Sequence, residues 1–170
     1  MVGTLVSDNM GSGGKMYYAG EPIALPGLLV NINSDKKVVR NTVAGSLPDY
    51  LSFKPSMDHA TREIANNVPV SVYPFITGYH VRLKLAVDNS AIEVGDRIMA
   101  TAGGDNNVND GTVDKWVNPG AGNFNYSIGK ALEAKSANAG AEYTFGAADA
   151  AGEEMYVLVY VKPEFMVGSD

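Results

Sequence analysis

The chain has no cysteine. Disulfides, thiolate metal sites, cysteine nucleophiles and Cys-x-x-Cys redox chemistry are excluded together, so stability must come from packing, helped by self-association. Histidine is almost as scarce, with only His59 and His80. His59 stands in His59-Ala60-Thr61-Arg62-Glu63, which lacks the second imidazole one helical turn on that a zincin helix needs. His80 falls on the polar side of a strand pattern. Both read as solvated or hydrogen-bonded side chains, and no metal is expected. Charge is sparse, at 19% of residues against a typical ~25%. It is also acidic, with 13 Lys+Arg against 19 Asp+Glu, a net charge of −6 and a pI near 4.8. That balance argues against nucleic acid as a partner, because phosphate binding rests on excess positive charge. No run approaches the ~18 apolar residues of a membrane span, and residues 1–15 lack the basic-then-apolar pattern of a secretory signal. The expectation is a soluble chain made in a cytoplasm, with no membrane partner.

Signatures of catalysis are missing as well. There is no Gly-x-Ser-x-Gly elbow and no P-loop. Asp58, Glu63, Glu153 and Glu154 are scattered acids that read as solvated. Asp105-Asn106-Asn107-Val108-Asn109-Asp110-Gly111 spaces its oxygen ligands like a calcium loop. However, glycine falls at the seventh position instead of the sixth, and Trp116 stands where the twelfth-position Glu belongs. The segment reads as a flexible hairpin loop. Asn125-Tyr126-Ser127 matches a glycosylation sequon, which carries no meaning without a secretory signal. No catalytic residue, metal ligand or cofactor is assigned, and the chain is not read as an enzyme.

What is present is enough for a globular body. The 170 residues, 45% of them hydrophobic, make one domain of the commonest size, or one domain plus an arm. Residues 1–14 read as a flexible N-terminal arm, because Gly11-Ser12-Gly13-Gly14 has no side chains with which to hold itself in place. Residues 15–170 read as the domain. Within it, Leu28-Leu29-Val30-Asn31-Ile32 and residues 37–43 flank the polar turn Asn33-Ser34-Asp35-Lys36, a hairpin signal. Residues 45–55, punctuated by Gly, Pro and Asp, read as loop. Ser56 could cap one short helix over residues 57–66, stopped by Asn67 and Pro69. Further strands are expected at 70–73, 97–100, 112–117, 124–134 and 142–145. Residues 79–87 form the clearest strand, with Tyr79, Val81, Leu83, Leu85 and Val87 on one face and His80, Arg82 and Lys84 on a wet one. Residues 155–161 are apolar on both faces, so they should be central and inaccessible. The fold class is mainly β: a single small β-barrel or β-sandwich domain with one short helix and an extended N-terminal arm.

Apolar and aromatic residues mark the candidate contacts. Val2, Leu5, Val6 and Met10 are apolar side chains that a solvated tail does not need. Met16-Tyr17-Tyr18 follows the glycine tetrad, and Trp116 follows the Asn-rich loop. Tyr17, Tyr18 and Trp116 read either as core or barrel-mouth residues or as interface anchors.

One resemblance spans the second half of the chain. Glu93-Val94-Gly95-Asp96-Arg97-Ile98-Met99 is a turn launching a strand. It is followed by Ser127-Ile128-Gly129-Lys130-Ala131-Leu132-Glu133-Ala134, then Ala139-Gly140-Ala141-Glu142-Tyr143, then the closing strand 156–161. This order resembles the capsid decoration (cement) proteins of tailed bacteriophages, and Gly20-Glu21-Pro22-Ile23 is similar to their opening segment. The residues around 56–67 and 103–111 depart from the pattern. The resemblance implies a virion structural protein on the capsid exterior, bound to the major capsid protein as a homotrimer. It would be made in the bacterial host's cytoplasm and need no active site. Two other readings stay open: a carbohydrate- or small-ligand-binding β-sandwich using Trp116 and exposed tyrosines, and a tail or head-fibre component. A β-rich enzyme with an acid pair is a further alternative.

Overall fold

A computed structural model describes residues 15–23, 27–53, 64–141 and 153–170. The first five strands are β1 (Lys15–Ala19), β2 (Leu29–Ile32), β3 (Lys37–Arg40), β4 (Tyr50–Phe53) and β5 (Pro69–Tyr73). They close into a barrel in the order β1-β3-β2-β4-β5. The other five are β6 (His80–Lys84), β7 (Arg97–Ala100), β8 (Val113–Lys115), β9 (Phe124–Ala131) and β10 (Tyr156–Val167). They form an antiparallel sheet in the order β6-β10-β9-β7-β8. The fold is mainly β, with only two short 3-10 turns, Asp105–Asn107 and Glu153–Met155, as helix among the described residues. No helix there is long and apolar enough to cross a membrane.

Local sequence explains much of this. The β2–β3 hairpin forms at the expected turn because the Asn33 side chain accepts from the backbone N–H groups of Asp35 and Lys37, both at 3.0 Å. An Asx turn of this kind sets the reversal before the strands pair. Parallel pairing of β1 with β3 and antiparallel pairing with β5 then close the barrel. The stretch read as loop, 45–55, in fact contains β4. Its Pro and Asp punctuate only the entry: the Asp49 carboxylate accepts from Ile32 N–H at 3.1 Å, while Asp49 N–H donates to the Asn31 side chain at 3.0 Å. That corner delivers Tyr50 and Leu51 into register with β2.

The arm 1–14, most of the expected helix 57–66 and the strand 142–145 lie outside the described residues. The end of that helical stretch is described and is extended: Ile64 forms an isolated antiparallel bridge with Ile23.

Two apolar clusters make the core. Val30, Val38, Val70 and Val72 fill the barrel with Ala19, Ile23, Leu28 and Ile64. The sheet's inner face supplies Val81, Leu83, Ile98, Ile128, Val157, Val159 and Val161, and the barrel's Leu29 and Leu51 join this second cluster. β10 is central as expected, between β6 and β9. Its other side is only partly covered, with Tyr156 buried but Leu158 and Tyr160 half-buried. The alternation of β6 holds at His80, Val81, Arg82 and Leu83 and fails at Lys84, which is buried at 3% exposure. Residues 139–141 roof it: Lys84 Nζ donates to the carbonyls of Leu85 (2.7 Å), Gly140 (2.6 Å) and Ala141 (3.2 Å). Burial pulls its pKa down to about 8, and the carbonyl cage is what holds an ammonium there at all.

Candidate partner-binding surfaces

The 105–111 segment lies in the loop of the antiparallel β7–β8 hairpin, as the sequence suggested, but hydrogen bonds tether that loop to the rest of the fold. It is the seam between barrel and sheet. Gly111 N–H donates to Asn41 O at 2.8 Å, its carbonyl accepts from Leu29 N–H at 2.7 Å, and Asn41 N–H donates back to Leu29 O at 2.9 Å. Gly111 has φ +76°, and a Cβ there would lie 2.8 Å from Leu29 O. Asn109 is buried, accepting from Val87 N–H and donating to Asp88, both at 2.9 Å. The Asp110 carboxylate accepts from Gly103 N–H at 2.8 Å. Two of the segment's side-chain oxygens, Asn109 Oδ1 and Asp110 Oδ1, are therefore committed to backbone N–H groups. No group of three or more His, Cys, Asp or Glu residues gathers as a metal site among the described residues.

The aromatic candidates do not converge. Tyr17 and Tyr18 point to opposite sides of β1. Tyr17 packs against the barrel cluster, its ring 6.2 Å from that of Tyr50. Tyr18 is 59% exposed, beside the exposed Met16. Trp116 follows β8 in the other sheet. It is half-buried, its backbone N–H donates to Arg97 O, and its buried indole N–H has no acceptor among the described residues. Tyr18 and Trp116 thus belong to different surfaces, which does not favour a shared ligand platform. Val2, Leu5, Val6 and Met10 lie outside the described residues. His80 packs edge-on against Tyr160, with centroids 5.7 Å apart, and His59 lies outside the description.

A surface that sequence reading missed lies at the far end of β9 and β10. After a register shift between Val161 and Glu164, these strands run on as a ribbon pairing Ser127 with Glu164, Tyr126 with Phe165, Asn125 with Met166 and Phe124 with Val167. Residues directly opposite share a face, so Phe124, Tyr126, Phe165 and Val167 gather on one. The Phe165 ring lies 5.0 Å from Phe124 and 5.4 Å from Tyr126. Phe124, Phe165 and Val167 stay more than half exposed. The other face carries Asn125, whose side chain packs on Gly45, and residues 43–47 run beside β9, tied by Gly45 N–H to Ala100 O (2.9 Å) and Tyr126 N–H to Gly45 O (2.7 Å). Between that loop and residues 124–126 runs a groove of about 490 Å³. Exposed Val43 and Leu47 line it. An aromatic patch with an apolar rim is an arrangement that marks contact surfaces. The signal available in sequence was the alternation Phe124-x-Tyr126 and Phe165-x-Val167, which becomes one surface only when the register is known.

The segments that carried the resemblance also meet. In the 93–96 turn, Asp96 N–H donates to Glu93 O (3.1 Å) and Glu93 N–H to the Asp96 carboxylate (2.8 Å). That donation, with Lys115 at 2.9 Å, holds Asp96 below the usual carboxylate range. The turn is tied to β9 by Gly95 N–H to Ala131 O and Ala131 N–H to Asp96 O, both at 2.8 Å. Gly129 faces Val161 across the ladder, where a Cβ would collide with the Tyr160 carbonyl. Gly140 likewise leaves no room for a Cβ against Ala86 O. Lys162 and Glu164 form an ion pair at 2.7 Å, which raises the lysine and lowers the acid.

No protein-family model and no curated protein matches the chain. Among solved structures it is similar to the N base of the head fiber gp8.5 of bacteriophage phi29. The identity is 16%, the TM-score is 0.47, and the match covers 88% of this chain and 92% of that one.

Proposed function

We propose that the chain is a virion structural protein that binds the outer surface of a phage capsid and stabilises the shell, without catalysis or cofactor. The observation that supports this reading is the meeting of the resemblance-bearing segments in one sheet. The 93–96 turn, Gly129 and the closing strand are bonded to one another through β9. Gly129 and Gly140, both in those segments, occupy positions where only a bare backbone fits. The partner is the major capsid protein, met through the Phe124–Phe165 face, with the protein acting as a homotrimer on the shell. Neither nucleic acid nor membrane takes part.

The test uses particles of the phage that encodes the chain. Mass spectrometry should find the protein in purified virions, and shells lacking it should rebind it when it is added back and withstand higher temperature. A Phe124→Ser/Phe165→Ser protein should melt as the parent does yet fail to rebind. Absence from virions, or shells that neither bind nor gain heat resistance, would overturn the reading. Electron density for isolated copies, away from three-fold positions, would reject the trimer.

A further inference from the structure

The outer face of the five-stranded sheet is covered at one end and bare at the other. At the covered end Lys84 lies opposite Tyr156, both buried, with residues 139–141 bonded over the lysine. In the middle Arg82 lies opposite Leu158. Arg82 is held at 3.1 Å by Glu133, whose same oxygen accepts from Leu158 N–H at 3.0 Å and meets Lys135 at 3.3 Å. At the bare end four strands each contribute one residue to a single cross-strand row. His80 lies opposite Tyr160, Tyr160 opposite Lys130, and Lys130 opposite Arg97.

That row is unusual in its charge. Lys130 and Arg97 are exposed cations directly across from each other, an arrangement that is destabilising by itself. Arg97 shares Glu164 (3.5 Å) with Lys162 (2.7 Å). Lys130 has no ion pair or side-chain hydrogen bond among the described residues. The chain as a whole carries −6, so this face is positive against the balance of the molecule. Complementary charge at such a place sets partner choice and orientation. The half-buried Tyr160 ring, set between His80 and Lys130, gives an apolar floor for the stem of a carboxylate side chain.

We propose that the His80–Tyr160–Lys130–Arg97 row docks an acidic segment of a partner protein. The segment lies across the strands, with its carboxylates on Lys130 and Arg97 and a side-chain stem over Tyr160. Carboxylate is favoured over nucleic-acid phosphate because the strip is short and the surrounding field is negative, which a polyanion tens of ångströms long would feel throughout. The assignment holds for any partner bearing such a segment and does not depend on the capsid reading.

The test is a titration of the full chain at low salt with a (Glu-Ser)4 peptide, followed by backbone amide NMR, with (Lys-Ser)4 and dT8 as comparison probes. Shifts should cluster at His80, Arg97, Lys130 and Tyr160 and fade as salt is added. Lys130→Gln should weaken binding about threefold, and Lys130→Glu with Arg97→Glu about tenfold. The single variant removes no favourable contact in the fold and relieves the repulsion with Arg97, so it should not lower the melting temperature and remains informative if the double variant is unstable. Shifts that fall elsewhere, no binding, or insensitivity to Lys130→Gln would overturn the proposal. Tighter binding of dT8 at the same row would overturn the choice of carboxylate in favour of phosphate.

Discussion

In the barrel every strand has a neighbour on both sides, so β-strands of four or five residues suffice. In the sheet β6 and β8 end the order, and the twelve-residue β10 runs with β9 beyond its other neighbour. Closure leaves no unpaired edge to defend, and the barrel's interior is a plain aliphatic cluster. The open sheet carries the features that need explaining: a caged lysine, a cross-strand cation row and an exposed aromatic ribbon. A closed unit that is finished on its own terms is suited to support. An open one retains surface for something else.

Because Leu29 and Leu51 of the barrel pack in the sheet's core cluster, the two units should nevertheless melt together. The most severe test is Val159→Asp. Val159 is fully buried in the central strand, and an unpaired carboxylate there should prevent soluble expression. A soluble, cooperatively melting variant would show that the sheet is dispensable. Leu51→Ala, at 2% exposure on the barrel side of the shared core, should cost about 2–5 kcal/mol. A single urea transition should move to lower midpoint, whereas a split into two transitions would mean that the units are independent.

Lys84 sharpens the contrast through pH. Its folded pKa lies near 8, below the unfolded 10.5. Between those values the unfolded chain holds a proton that the folded chain has shed, so stability rises with pH across that window. Urea unfolding at pH 7.5 and 10.5 should show the parent gaining on the order of 3 kcal/mol relative to Lys84→Met, with other titrations cancelling between the two. An equal pH response in both proteins would mean that the ammonium is not desolvated. The smallest effect belongs to the seam. Gly111→Ala should cost about 1–2 kcal/mol through its left-handed backbone, with crowding against Leu29 O adding to it. An unchanged melting temperature would show that the seam yields.

How much of this could be read in advance depends on whether a feature is local. The β2–β3 hairpin, the 93–96 turn and the alternation at 80–83 were legible because neighbours in sequence create them. β4 was missed because Pro48-Asp49 marks a corner whose partners, Asn31 and Ile32, lie eighteen and seventeen residues away. Lys84 was assigned to a wet face because nothing near it announces the roof at Gly140, fifty-six residues on. For the same reason the 105–111 segment read as a flexible hairpin loop, with no local sign that Asn109 bonds to residues 87 and 88 and Gly111 to residues 29 and 41. Of the named contact residues, Tyr18 proved exposed and Tyr17 half-buried against the barrel cluster, a distinction that the dipeptide alone does not make.

The position of β10 in chain order has a consequence for biosynthesis. All five barrel strands fall within residues 15–73, whereas the strand that fills the middle of the sheet is made after every other described strand. A nascent chain can therefore complete the barrel while β6 and β9 still wait with their facing edges unpaired, the condition under which sheets recruit wrong partners. Chains stalled after residue 155 should be cut by protease in the sheet, and in the barrel too, because Leu29 and Leu51 then lack the β10 side chains of the core they share. Translation speed over the final dozen residues of β10 then becomes a determinant of yield, independent of how stable the finished molecule is.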